Sequence, residues 1–187
     1  MKLTIILFLL FGCIGVVVGP NLSSAATQEK ESKTQPKEIT LAKDSQSDKY
    51  GEAPFNHENH ATKKYSIDGA SVLSCVECHH TDQPAANLKA PLKTSERPVT
   101  LTAEALAAAD AKPVKSCRAC HLQAGDDSGT IPTVQYADKP APTKLTNEIA
   151  YHLNCNICHD KAIAARPALK GKVPGSNDCL PCHKPAA

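Results

Sequence analysis

The chain has 187 residues, 14 prolines, four tyrosines, three phenylalanines, no tryptophan and a formal net charge of +2. So little aromatic surface excludes a conventional hydrophobic core at this length. The near balance of 21 basic and 19 acidic residues also excludes the basic footprint of a nucleic-acid binder, so no nucleic-acid partner is expected.

In chain order, Met1-Lys2 leads into an apolar run from Leu3 to Gly19 and then the small residues Ser24-Ala25-Ala26. That order predicts a secretory signal over 1–26 and an exported, periplasmic mature protein. Two rival readings use the same residues: retention of 1–26 as a membrane anchor, or acylation of Cys13, because Leu10-Phe11-Gly12-Cys13 loosely matches a lipoprotein box. Residues 27–52 are rich in Lys, Glu, Ser, Gln and Asp, a composition that predicts a flexible polar tether.

At Phe55-Asn56-His57-Glu58-Asn59-His60 the composition changes, and the two histidines would share one face of a helical turn. A single structured unit is expected over 53–187. Residues 81–116 read as a long connection with one helix from about Thr102, its cap, to Asp110. Gly125 to Gly129 and the prolines at 132, 140 and 142 read as loop, and Asp126 and Asp127 as turn residues, since no calcium-loop spacing surrounds them. A longer helix is predicted from about Asn147 to Ala165, stopped by Pro167.

Against this loop-rich background one pattern recurs four times: Cys75-Val76-Glu77-Cys78-His79, Cys117 to His121, Cys155 to His159 and Cys179 to His183. Random placement of these residue types would give roughly 0.02 such patterns in the chain. Cys-x-x-Cys-His is the attachment signature of a c-type haem. The thiols of Cys75, Cys78, Cys117, Cys120, Cys155, Cys158, Cys179 and Cys182 would add to porphyrin vinyl groups, and His79, His121, His159 and His183 would ligate the irons. Four flat apolar porphyrins would supply the core that the side chains cannot. Ferric haems with their propionates would bring about four negative charges and take the net to roughly −2.

Four histidines lie outside the motifs: His57, His60, His80 and His152. The only methionine is Met1, so His–Met ligation is excluded by inventory, and bis-His ligation is possible at every haem. His80 adjoins His79 on the proximal side of the first haem and should reach a different iron. His152, close before Cys155, should likewise serve a neighbour of the third haem.

The order Phe55-Asn56-His57-x-x-His60, Cys75-x-x-Cys78-His79-His80, a second motif, Tyr151-His152 and two further motifs resembles class III cytochromes c, the tetrahaem family of anaerobic respiratory bacteria. The resemblance covers about residues 53–184. It implies a multihaem cytochrome c fold, with a few short α-helices and long loops wrapped around four covalent haems and little β structure. It further implies His57 as distal ligand of the first haem, His80 of the second, His60 of the third and His152 of the fourth, with Phe55 packed between haems. The implied role is that of a low-potential periplasmic electron carrier rather than an enzyme, serving redox proteins such as a hydrogenase-like donor or a membrane-associated cytochrome acceptor. Two features depart from the compact family members: all four motifs have two intervening residues, and the 81–116 connection is long.

Other readings explain less. Two zinc sites would use the Cys pairs but not the His after each pair, and a disulfide framework has the same gap. A multihaem reductase shares the attachment motif but needs an open iron position, which eight histidines can close. A subunit of a larger membrane-associated or filamentous cytochrome assembly uses the same residues as a carrier.

Overall fold

The computed structural model describes residues 33–43, 45, 49–90 and 92–185. The signal and lipidation readings of residues 1–26 lie outside them. Regular structure is sparse. Strands β1 (Glu38–Leu41) and β2 (Ala53–Asn56) form an antiparallel pair in the register Glu38 opposite Asn56. Helix α1 (His57–Thr62) follows β2 directly, then come α2 (Ala103–Ala107), the short pair β3 (Thr133–Val134) and β4 (Thr143–Lys144), α3 (Asn147–Ala165) and α4 (Cys179–Cys182).

Strand β1 departs from the tether expected over 27–52. Its Glu-Ile-Thr-Leu sequence alternates exposed and half-buried side chains against β2, the pairing pattern of a short surface strand. The same segment reaches α1, where the Glu58 backbone N–H donates to the Lys37 carbonyl at 3.0 Å. Residues 51 and 52 are also engaged. The Gly51 N–H donates to the Lys184 carbonyl and the Lys184 N–H to the Glu52 carbonyl, each at 2.8 Å.

Helix α3 begins and ends where the sequence predicts. The Thr146 hydroxyl caps it by accepting from the Ile149 N–H at 3.5 Å, and Glu148 stands in its first turn, where a carboxylate complements the helix dipole. Helix α2 has the expected Thr102 cap but stops at Ala107, short of Asp110. The backbone leaves helical geometry at Ala108, with φ −61° and ψ 143°, and a run of little more than one turn has few helical hydrogen bonds of its own to extend it.

The apolar core is as small as the composition demands. Among the described residues the buried hydrophobics are Ala53, Leu101, Val134 and Ala162. Polar clamps do much of the folding work instead. Arg166, just past α3, donates from Nε to the Ile67 carbonyl at 3.0 Å and from Nη2 to the Ser66 carbonyl at 3.1 Å. Gly69, at φ +75°, lies so close to this guanidinium that a Cβ would collide with it. The 81–116 connection folds around buried Asp82 and Gln83. Gln83 Oε1 accepts from the Leu101 N–H at 3.1 Å, while Arg97 Nη2 donates to the Lys112 and Pro113 carbonyls at 2.5 and 3.2 Å.

Candidate haem-binding site

Each motif closes the same local turn. The His79, His121 and His183 N–H groups donate to the carbonyls of Cys75, Cys117 and Cys179 at 2.8, 2.9 and 2.9 Å. The first two motifs sit on isolated 3-10 turns, Cys75–Glu77 and Cys117–Ala119, the third lies within α3, and the fourth makes up α4 and the residue after it. Two thiols and an imidazole therefore leave each turn in a similar relation, whatever the surrounding chain does.

The eight histidines then meet in four pairs, each joining one motif histidine to one other. Ring centres lie 6.2 Å apart for His57 and His79, 6.1 Å for His80 and His121, 6.4 Å for His60 and His159, and 6.2 Å for His152 and His183. These are the partners that the resemblance assigns. His80 and His152 each face the imidazole of a motif other than the one they adjoin. Phe55 lies 4.6 Å from the His60 ring and 6.1 Å from the His57 ring, bridging the first and third pairs.

The donor set fits an iron between each pair. Two metal–nitrogen bonds of about 2 Å, with the ring radii added, place imidazole centres roughly 6.3 Å apart. Ordinary aromatic packing also tolerates such distances. It does not explain four pairs of nearly equal separation that use every histidine and always match a motif residue with an outside one.

Hydrogen bonding orients the rings for the same purpose. Nδ1 lies 3.1 Å from the Pro36 carbonyl in His57, 2.8 Å from Asn56 in His60 and 2.7 Å from Leu145 in His121. It lies 2.9 Å from the Pro174 carbonyl in His159 and 2.9 Å from Gly51 in His183. A carbonyl only accepts, so Nδ1 carries the proton and Nε2 keeps its lone pair for a metal. Burial is the main influence that holds His57, His79, His80 and His159 below the usual imidazole range. It favours the neutral form that ligates.

The eight described motif cysteines form no disulfide. Burial, reinforced for Cys155 by the neighbouring Cys78 and Cys182 thiols, pushes both Cys78 and Cys155 up to about 11. No group of three or more His, Cys, Asp or Glu suited to a bare ion occurs among the described residues.

The carbonyl acceptors were not foreseen. Every residue has a carbonyl, so Pro36, Leu145, Pro174 and Gly51 carry no sequence signal for this role. Asn56 was singled out only as part of the Asn-His pattern. The buried polar group beside the first two pairs was equally silent. Asp82 Oδ1 lies 3.6 Å from Arg97 Nε, and His80 Nδ1, Asp82 Oδ2 and Gln83 Nε2 are buried without a hydrogen-bond partner. Comparison with protein-family models, with curated proteins and with solved structures finds no match for this chain.

Proposed function

We propose that this protein is an exported multi-electron carrier that holds four c-type haems and passes electrons between redox partner proteins. The observation that carries the reading is the set of four histidine pairs, each centred for one iron and each preceded by its own Cys-x-x-Cys turn. Bound haem would supply reversible one-electron ferric/ferrous chemistry at each pair.

The chain's own groups set the character of that chemistry. Eight thiols fix the groups covalently. The two imidazoles of each pair would hold the iron, deny small molecules an inner-sphere position and favour the ferric state more than a His–Met pair would. With few residues per haem, edges would stay open to water, which would lower potentials further and offer routes to a donor or acceptor. Adjacent His79 and His80 join the first and second sites, and α1 joins the first and third through His57 and His60, so internal transfer requires no large motion.

Intact mass of the protein expressed with haem-attachment machinery should show four haems, with a six-coordinate low-spin visible spectrum. The reduced protein should be oxidised rapidly by soluble or mineral acceptors. Two or three haems would show an unused motif. Robust turnover of nitrite, hydroxylamine or peroxide, together with a high-spin haem in the native protein, would make it a reductase instead.

A further inference from the structure

The four pairs are alike in separation but not in orientation. The imidazole planes cross at 69° for His57 and His79, 67° for His80 and His121, and 74° for His152 and His183, but at only 28° for His60 and His159. A second difference falls on the same pair. Among the described hydrogen bonds, both rings are held through Nδ1 to a backbone carbonyl in the third pair alone.

Both anchors are themselves braced. The Asn56 carbonyl that receives His60 belongs to the cap of α1, whose side chain accepts from the Asn59 N–H at 2.8 Å and donates from Nδ2 to Glu38 Oε1 at 3.3 Å. Phe55 and Tyr65 flank the His60 ring at 4.6 and 5.3 Å. The Pro174 carbonyl that receives His159 begins a turn held by Asp160 Oδ1, which accepts from the Ser176 N–H at 2.9 Å, and by Asp178 Oδ2, which accepts from the Gly175 N–H at 2.8 Å. Asp160 follows His159 on α3, so one helix sets both the ring and the carbonyl that holds it. A Cβ on Gly175 would sit 2.9 Å from Asp160 Oδ1, and the absence of a side chain there permits the close approach.

We infer that His60 and His159 make the third site electronically distinct, with the strongest preference for ferric iron among the four. The inference rests on the bis-His haem reading above. An imidazole donates π density into the metal d orbital perpendicular to its own plane. Near-parallel rings load one orbital of the pair, split it from its partner and stabilise the ferric hole. Near-perpendicular rings load both equally and leave them almost degenerate. A hydrogen bond from Nδ1 to a carbonyl strengthens each ring as a donor, and at the third site both rings have one. Orientation and anchoring therefore act in the same direction. Asn56 and Asp160 serve as positioning residues.

The test is electron paramagnetic resonance of the whole oxidised four-haem protein, with haem stoichiometry fixed by intact mass. One of the four ferric spins should give an ordinary rhombic low-spin signal, and the other three broad signals of large maximal g. On stepwise reduction the rhombic signal should disappear last. His60→Ala should abolish it, leaving one high-spin haem, and keep the other three signals in place. Asp160→Ala should move it toward larger maximal g and make it reduce earlier. Four haems with no rhombic signal, a rhombic signal that survives His60→Ala, or one that is reduced first would overturn the inference and leave the carrier reading standing. A mass showing fewer than four haems would strike at the carrier reading itself.

Discussion

The third motif lies inside a nineteen-residue helix, whereas the first closes on an isolated three-residue 3-10 turn. Both nonetheless present two thiols and an imidazole, because the geometry needed is that of one turn, and the chain closes it with or without a helix to continue it. What separates the two regions is the source of support. Around the third motif it is regular backbone hydrogen bonding, which also delivers His152 to the fourth site. Around the first it is contact between distant parts of the chain, with His57 brought to His79 by β2 and the short α1.

Removing a distal ligand should produce the largest effects and tests both regions at once. His80→Ala should leave the second haem five-coordinate, high-spin and able to bind carbon monoxide, and His152→Ala should do the same to the fourth, since no methionine stands by to replace either. Carbon monoxide difference spectra with assigned magnetic resonance would check this. Disturbance of the first haem by His80→Ala, with the second unchanged, would reject the pairing.

A proline scan at one motif position sharpens the contrast. The fourth motif already carries Pro181 as its second intervening residue. Glu77→Pro should remove one turn hydrogen bond, from its N–H to the Ser74 carbonyl at 3.1 Å, and cost about 1 kcal/mol. Ile157→Pro would interrupt α3 in its interior and should cost about 3 kcal/mol or more. Denaturant unfolding of the two loaded variants compares them directly. Equal losses would mean that α3 contributes no more than an isolated turn.

The smallest expected effects come from the helix caps. Thr146→Ala should destabilise the protein by about 1 kcal/mol, because α3 carries ligands for two sites. Thr102→Ala, on the five-residue α2 that holds no histidine, should cost about 0.5 kcal/mol or less at the low end of the capping range. Thermal unfolding resolves the difference, and a greater loss at Thr102 would give α2 a role that its position does not suggest.

Legibility followed the distance over which each feature is determined. The bounds of α3 could be read from Thr146, Glu148 and Pro167, because capping, dipole and proline effects are local. The four histidines outside the motifs stand out from an inventory of His and Met, and the ring pairs seen in the structure are those the resemblance implies. Strand β1 was not legible. Ile39 and Leu41 are the only strong apolar residues in its stretch, and its pairing depends on β2 many residues later. The burial of Asp82 and Arg97 was also hidden, since charged residues in a loop-rich connection ordinarily remain in water.

Strand β1 also has a consequence for the order of events. His57 and His60 stand three residues apart on one short helix, so on the proposed haem reading an iron held at the first motif would have both within reach while it is being seated. A chain that seated the wrong imidazole there would leave the third motif without its intended distal partner and would have to break a metal bond to recover. The segment around β1 precedes both rivals in synthesis. It offers the Pro36 carbonyl to His57, while the Asn56 carbonyl turns His60 aside. On that reading, the choice between two equivalent imidazoles is made by backbone acceptors flanking the helix, ahead of any metal bond.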